Sequence, residues 1–395
     1  MEKTRSSLLL SRGWLHISER AAGAAIFAFL CVLAGGTLLL LAAKLQVPDL
    51  GAGAPAPAVF EAVVIVSLGS LGTPIDVGGL EVMALPLGAV ALIGLGIASG
   101  TRRALGGLVG GTFSARVRGS LVVGACLGVL CGVAALVFRI GQGSGEIAAR
   151  PWLAALAGAL WGFVWSLLGV TRLPFWDAFR WAFGRSPEVG PARRTAAGEG
   201  IRLLLWLTLP ALVGVAALGS ARVVFRASTP LGALGSLVHG LAFAPNLAAA
   251  GAALGLGGTV EAGFGGLASG SSGATPAYSL FDWAGASTPI AAWLLPIIAF
   301  VGVTAVGARV ARLPGSVTAS MLVVGVTFAG ALALLAVAGE ARAGIVEREG
   351  FVRLAPDALQ VFFLGLGWAA VGLPLGWIVA RAKRRENHRD HSETG

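Results

Sequence analysis

The chain has 395 residues, of which 56% are hydrophobic and 12% are charged, and its formal net charge is +10. A typical soluble domain carries about 25% charged residues, so this composition excludes a soluble enzyme, a nucleic-acid-binding domain and a disordered protein. The apolar residues occur in runs of about 18 to 28 residues, the length that crosses a bilayer. We therefore predict an all-α, polytopic transmembrane helix bundle that contacts the lipid bilayer and binds no nucleic acid.

Eight long apolar runs predict full membrane spans. The first predicts a retained anchor, because its 23 residues exceed the apolar core of a signal peptide. Two more apolar stretches, residues 55–72 and 230–258, are ambiguous. The predicted spans are residues 21–43, 82–99, 119–138, 152–170, 203–219, 289–307, 317–338 and 357–380.

The positions of the arginines favour one topology over another. If all ten stretches cross and the N-terminus is inside, the arginine-rich loops 100–118 and 172–202 fall outside, against the positive-inside rule. If neither ambiguous stretch crosses fully, both loops lie inside. Four other arginines then lie outside, which is fewer than the number that the two loops bring inside. We therefore predict eight full spans plus two re-entrant or short elements, with both termini cytoplasmic. Ten spans is the alternative.

This topology divides the chain into two halves with the same order: a span, an ambiguous element, then three spans. Such an order suggests a parallel internal repeat, although the two halves show no clear match residue by residue. The aromatic segment 174–185 is interpreted as an interfacial helix or as the aromatic belt at the end of a span. The predicted parts are a cytoplasmic N-terminus (1–20), a first transmembrane half with that interfacial segment (21–200), a second half with a Gly/Ser-rich loop at 263–288 (201–380) and a basic cytoplasmic tail (381–395).

The sequence contains none of the common catalytic motifs. A phosphate-binding G-x-x-x-x-G-K-[ST] loop, a G-x-S-x-G turn and an H-E-x-x-H helix are all missing. Cys31, Cys126 and Cys131 lie inside apolar runs and are interpreted as small core residues. We therefore predict a protein that is not an enzyme and that holds neither a metal nor a cofactor.

Three polar residues in the ambiguous stretches are the candidate intramembrane site: Glu61, His239 and Asn246. Polar groups at membrane depth are costly and are functional by default. Pro245 lies in the middle of its apolar run and favours a break at the preceding residue. The alternative is that Glu61 lies near the outer interface and that His239 forms a hydrogen bond with a neighbouring helix.

Glycines at four-residue spacing predict close packing between helices. A row of small residues lets two backbones approach, so that dispersion contacts replace the hydrophobic effect, which lipid cannot supply. The partner helix belongs either to this chain or to a second copy. The predicted helix-packing residues are Gly124, Gly128 and Gly132 on one span and Gly158 and Gly162 on another.

Two stretches contain short motifs of interest: residues 76–103, with Leu85-Pro86-Leu87-Gly88 and Arg102-Arg103, and residues 237–258, with Pro245-Asn246. These stretches resemble segments of Ala/Gly-rich multi-pass membrane proteins of actinobacteria, namely the cell-division PerM group and the streptophobe family. The resemblance covers about one eighth of the chain. It implies a bacterial plasma-membrane protein connected with the envelope or with division, and it transfers no active site.

A membrane-embedded enzyme is the third hypothesis, for which the sequence shows neither a metal cluster nor a nucleophile–base pair. Two other functions stay ahead of it. The first is a non-enzymatic membrane protein that acts through helix and partner contacts, with other membrane proteins or with itself, as an envelope or cell-division accessory factor. The second is a secondary transporter or channel with a site between the two ambiguous elements. The second requires Glu61 and His239 to face a shared cavity.

Overall fold

A computed structural model describes residues 2–47, 49–50, 53–77, 80–106, 113–141, 146–170, 196, 198–209, 212–213, 229–265, 277–279, 294–313, 315–345 and 351–393. The helices are α1 (Glu2–Gln46), α2 (Ala56–Gly69), α3 (Leu87–Leu105), α4 (Phe113–Val137), α5 (Pro151–Val170), α6 (198–209), α7 (Pro230–Gly255), α8 (Leu294–Val310), α9 (Val317–Ala338) and α10 (Ala358–Glu393). The strands are β1 (Ile75–Val77), β2 (Leu80–Ala84), β3 (Ile147–Ala149), β4 (Thr259–Gly265), β5 (Ala277–Ser279), β6 (Ala341–Ile345) and β7 (Phe351–Pro356).

The described helices confirm the predicted helical membrane bundle. Six of them contain a segment that is long and apolar enough to cross a membrane, and α2 and α8 provide shorter apolar segments. Helix α3 is outside both groups, since its last turn contains Arg102 and Arg103. The six segments are Glu19–Gln46, Ala115–Val137, Pro151–Val170, Pro230–Gly255, Val317–Ala338 and Ala358–Lys383.

The chain forms two compact units. The first consists of Met1–Ala178, Gly219–Phe243 and Arg342–Gly350, and the second of Phe179–Leu218, Ala244–Ala341 and Phe351–Gly395. Helix α7 therefore contributes its first half to one unit and its second half to the other. Each unit has its own apolar core, which includes Val32, Leu68, Ile97 and Leu127 in the first and Val303, Phe328, Leu332 and Leu373 in the second.

In the first unit, α1 and α3 are antiparallel, because Gly35 lies against Ile93 while Gly100 lies against Phe27. The end of α1 and the start of α3 therefore lie at the same level. Strand β2 leads directly into α3, and β3 leads into α5, so the strands lie at this level too. We call it the strand end of the unit. The opposite level, with Arg102, Arg103, Arg116 and Arg118, is the arginine end.

Helices α4 and α5 pack closely through glycine. A methyl group at Gly124 would lie 2.7 Å from the carbonyl oxygen of Ala159, and one at Gly128 would lie 2.7 Å from that of Ala155. Distances this short leave no room for a side chain. In the return direction, Gly158 lies against Cys131 and Gly162 lies against Gly124. The partner helix of the predicted glycine row is thus within this chain.

In the second unit, α10 packs against α9 and α8. Helices α9 and α10 are antiparallel, with Gly325 against Ala369 and Gly365 against Ala329. Helix α8 crosses α10 where Gly376 contacts Thr304. Strand β7 leads into α10, so the start of α10 marks the strand end of this unit, and Arg309 in the last turn of α8 lies at its arginine end.

The strands were not predicted, because short segments of three to seven residues show little periodicity. In the first unit the order is β3-β1-β2-β6, and in the second it is β7-β4-β5. Ile75 pairs with Ala149 and with Val82, both antiparallel, while Val260 pairs with Pro356 and Tyr278 in the same way. Strands β4 and β5 fall partly within the predicted loop 263–288.

Several boundaries differ from the sequence-based expectations. Residues 82–84 belong to β2, so the helix of that predicted span begins only at Leu87, after Pro86. The expected break at Pro245 is wrong: α7 is continuous through it, since packing in a bundle can compensate for the one missing backbone donor. Helix α10 continues to Glu393 through most of the predicted tail. Segment 174–185 lies outside the described residues.

Candidate functional site at the ends of α2 and α7

Helix α2 starts at the strand end of the first unit and descends into it. Near its start, the rings of Phe60 and Phe138 meet edge to face with centroids 5.3 Å apart, and Phe138 directly follows the last residue of α4. Near its end, Ser67 lies against Gly36. Because Gly36 is ten residues before the end of α1, this contact is about 15 Å below the strand end at 1.5 Å per residue.

The C-terminal end of α2 is closed by hydrogen bonds. The amide of Thr73 donates to the carbonyl of Leu68 at 3.4 Å, and the amide of Gly72 donates to that of Gly69 at 2.8 Å. Gly72 has φ +83°, a left-handed conformation that glycine adopts without strain. The indole Nε1 of Trp161 donates to the Leu71 carbonyl at 3.1 Å. These bonds satisfy the carbonyls that a helix end otherwise leaves open.

After this closed end the chain returns to the strand end. The backbone amide of Arg150 donates to the carbonyl of Pro74 at 3.5 Å, and Arg150 immediately precedes α5. Trp161 lies eleven residues further along α5, about 16 Å deeper. Helix α2 therefore begins at the strand side of its unit and descends to roughly half the thickness of a 30 Å hydrocarbon core, and the chain is back at the strand side by Pro74.

The second half of α7 follows a similar course in the second unit. Ala249 lies against Gly339, the residue that ends α9 at the strand end. The carbonyl of Leu256 accepts a hydrogen bond of 2.9 Å from Nε1 of Trp368, which is eleven residues into α10. The amide of Asp357 donates to the carbonyl of Thr259 at 3.4 Å, back at the start of α10.

A cluster of three charges holds the strands of the first unit. Asp76 and Glu81 lie directly opposite each other on β1 and β2. Arg150 binds Asp76 with Nε and Nη2, at 3.2 and 3.4 Å, and its Nη2 also donates to Glu81 at 2.7 Å. The hydrogen bonds with Asp76 raise the pKa of the Arg150 guanidinium above its ordinary value. The arginine thus offsets the repulsion between two carboxylates that face each other.

A second ion pair lies at the same level. Nη1 of Arg139 is 3.1 Å from Glu146, beside the isolated bridge between Ile140 and Ile147. Arg139 and Arg150, both at the strand end of the first unit, are therefore paired with carboxylates. Sequence reasoning missed these pairs, and the available signal was that Asp76, Glu81, Glu146 and Arg150 lie in or beside short segments that contain valine or isoleucine.

The three polar candidates lie near the strand ends of their units. Nε2 of Gln46, the last residue of α1, donates to Nδ1 of the half-buried His239 at 2.8 Å. Glu61 is half-buried, one residue after Phe60, and no hydrogen bond or ion pair joins it to another described residue. Asn246 is 4% exposed and lies one turn before Ala249. No described contact joins Glu61 to His239.

The second unit has a buried charge cluster that the sequence did not indicate. Glu199 is 2% exposed, and its carboxylate lies 3.7 Å from Nη1 of Arg202, one helical turn later in α6. The guanidinium groups of Arg202 and Arg309 both lie over the ring of Trp206, at 5.4 and 4.7 Å from its centroid. Such stacking stabilises cations that packing has removed from water.

These features define an integral membrane protein with two helical units, each carrying a strand end and an arginine end. No group of three or more potential metal ligands is found among the described residues. Comparison of the chain with protein-family models, curated proteins and solved structures finds no match.

Proposed function

We propose that the protein is a non-enzymatic, multi-pass protein of a bacterial plasma membrane, an envelope or cell-division accessory factor that acts by binding other membrane proteins at its outer, strand-bearing side. Both termini are cytoplasmic in this proposal, because the arginine ends then face the cytoplasm.

The closed end of α2 is the observation that carries this proposal. Transporters that use half-helices leave unwound carbonyls and helix ends available to the substrate or coupling ion. Here Nε1 of Trp161 donates a hydrogen bond to the carbonyl of Leu71, and backbone amides donate to the carbonyls of Leu68 and Gly69. The neighbouring side chains Val64 and Leu68 are apolar and buried. The buried hydroxyls of Ser67 and Ser70 donate to the carbonyls of Val63 and Ser67, both at 2.6 Å, and the hydroxyl of Thr73 is buried without a hydrogen-bond partner among the described residues. This end is built for packing rather than for ligand exchange.

The positions of the polar candidates support the same function. His239 is bonded to the end of α1, and Glu61 is beside Phe60 at the start of α2. Both positions correspond to an interface level rather than to the middle of the membrane, where an unpaired carboxylate would be costly. Exposed apolar side chains occur at the same level, including Val47, Leu50, Val59 and Phe60.

Photo-crosslinking in cells tests the partner contact. A photoreactive amino acid at Leu50, which is 42% exposed at the strand side of α1, should give a defined adduct with another membrane protein. The same group at Val326, which is 49% exposed in the middle of α9, should give none. An adduct of twice the protein mass at Leu50 means self-association. Equal yields at both positions would contradict a partner surface at the strand side.

A transporter remains the second candidate, because His239 and the buried Asn246 are polar residues on an apolar helix. Proton flux into vesicles with an entrapped pH dye, driven by a potassium gradient and valinomycin, tests it. We expect reconstituted protein to match protein-free vesicles. Flux above that background that is lost in Glu61→Gln or His239→Gln would support transport instead.

A further inference from the structure

The two units share a pattern of backbone bonds that no composition argument explains. In the first, the amide of Leu71 donates to Leu68, that of Gly72 to Gly69 and that of Thr73 to Leu68. In the second, the amides of Leu256, Gly257 and Gly258 donate to Ala253, Leu254 and Ala253. Every donor and acceptor of the first set maps onto the second by a shift of 185 residues. Gly72 and Gly257 both have positive φ, at +83° and +89°.

The bonds of these two turns with helices α5 and α10 also correspond. Trp161 and Trp368 donate from Nε1 to Leu71 and Leu256, at 3.1 and 2.9 Å. A shift of 207 residues relates the tryptophans, whereas 185 relates the leucines. With the same two shifts, the bond from Arg150 to Pro74 becomes the bond from Asp357 to Thr259, at 3.5 and 3.4 Å.

Strand register follows the same two shifts. The pairs Ile75 with Ala149, Asp76 with Ala148 and Val77 with Ile147 become Val260 with Pro356, Glu261 with Ala355 and Ala262 with Leu354. A slip of one residue in either unit would destroy this agreement and would reverse the faces of the strand.

Helix packing agrees as well. Gly158 packs on α4 and Gly365 on α9, while Gly169 contacts Ala98 on α3 and Gly376 contacts Thr304 on α8. A Gly-x-x-Trp-x7-Gly pattern therefore recurs in α5 and α10, at 158, 161 and 169 and at 365, 368 and 376. The candidates Glu61 and Asn246 also correspond, since each lies ten residues before the leucine that the tryptophan binds.

We infer that the chain is a tandem duplication of one membrane unit, and that α7, in spite of its length of 26 residues, does not cross the bilayer, because its second half is the counterpart of the short helix α2. A tryptophan in the middle of α5 forms a hydrogen bond with the end of α2, and one in the middle of α10 does so with the end of α7. After each of these helix ends the chain returns to the strand end of its unit. Length alone would class α7 as a span.

The charges of each unit orient it in the membrane. In the first, Arg102 and Arg103 lie in the last turn of α3 and Arg116 and Arg118 lie near the start of α4, whereas in the second, Arg309, Arg312 and Arg381 lie at the arginine end. The positive-inside rule therefore places the strands of each unit outside. Residue 229, before α7, lies next to the end of α1 through Gly232 and Leu45, at the strand end of the first unit. Both flanks of α7 are then extracellular or periplasmic.

Single cysteines in a background with Cys31, Cys126 and Cys131 changed to Ala test this inference. Thr229→Cys and Ala277→Cys should both react with a membrane-impermeant maleimide in intact spheroplasts. Gly110→Cys, in the loop between α3 and α4, should react only after permeabilisation. Labelling of only one of Thr229→Cys and Ala277→Cys, or of neither, would overturn the inference. Ser228→Cys and Tyr278→Cys repeat the test if a first variant fails to fold, as judged by gel filtration in detergent. The inference concerns the fold of this chain alone and does not rest on the proposed partner contact.

Discussion

The guanidinium of Arg150 binds both carboxylate oxygens of Asp76, through Nε and Nη2. The backbone amide of Arg150 also donates to the carbonyl of Pro74, two residues before Asp76. The same arginine reaches Glu81. This residue fixes the start of α5 against β1 and β2, and so ties the end of the α2 segment to the strand end of its unit.

Removing Arg150 should therefore destabilise the first unit. In Arg150→Gln, Asp76 and Glu81 keep their opposed positions without a counter-charge, and like charges across a strand pair repel. We expect a loss of about 1 kcal/mol in the free energy of unfolding, the upper end for partly exposed pairs. Unfolding in mixed detergent–SDS micelles measures it. Arg139→Gln breaks an ion pair that is more exposed to solvent, so this variant should lose less unfolding free energy. Asp76→Asn should restore part of the loss in Arg150→Gln, and a failure to do so would contradict the repulsion.

The raised pKa of Arg150 sets the pH range of this contribution. A group whose pKa is higher in the folded protein stabilises it below the ordinary pKa and loses that contribution only as pH rises through the folded value. For arginine, both pKa values lie far above the physiological range. The difference in unfolding free energy between the native protein and Arg150→Gln should thus be constant from about pH 7 to pH 10. A decline over that interval would rule out a charged guanidinium as its source.

The two indole bonds should have matched effects. Trp161→Phe and Trp368→Phe each leave a helix-end carbonyl without its donor in an apolar surrounding, at a cost of about 1–3 kcal/mol. Trp165→Phe is the control of equal size, since its Nε1 is buried without a hydrogen-bond partner among the described residues. Comparing the unfolding of all three variants in detergent–SDS micelles separates the effect of the lost indole hydrogen bond from that of the smaller side chain. If Trp165→Phe costs as much as the other two, the indole bonds do not stabilise the helix ends.

Close packing of α4 and α5 predicts opposite results for two glycines. A methyl group at Gly128 would lie 2.7 Å from the Ala155 carbonyl oxygen and 2.9 Å from Cβ of Ala159, so Gly128→Ala should cost about 1–3 kcal/mol. Gly330, in the middle of α9, has no atom within 4 Å of that position, and Gly330→Ala should stabilise by up to about 1 kcal/mol through helix propensity. Thermal unfolding in detergent gives the signs, and equal signs would exclude packing as the cause.

The turn after α7 offers a test of backbone strain alone. Gly257 has φ +89° and open space around its Cβ position. Gly257→Ala should cost about 1–2 kcal/mol, because L residues are strained in this conformation, whereas Gly257→Asn should cost less. Gly240 lies inside α7 and likewise has no atom within 4 Å of its Cβ position, so Gly240→Ala should not lower the unfolding free energy. The stabilities of these three variants come from one set of micelle unfolding curves, and a neutral Gly257→Ala would disprove the left-handed turn.

The sequence by itself determined that this protein lies in a lipid bilayer and where most of its helices lie along the chain. Low charge and long apolar runs are averages over many residues, and they are insensitive to which residues touch. The glycine row at 124, 128 and 132 also indicated close packing from spacing alone, because four-residue steps stay on one helix face. The order of a span, an ambiguous element and three spans suggested a repeat.

Only the tertiary structure decided how that repeat is built and where the polar candidates lie. Its signature is the pairing of backbone groups, such as the carbonyl of Leu71 with Trp161 and that of Leu256 with Trp368, which are far apart in sequence. Backbone carbonyls are the same in every residue, so no residue type marks them. The depth of Glu61 and His239 was equally hidden, because depth follows from which neighbours each helix packs against and not from the apolar length of the helix itself.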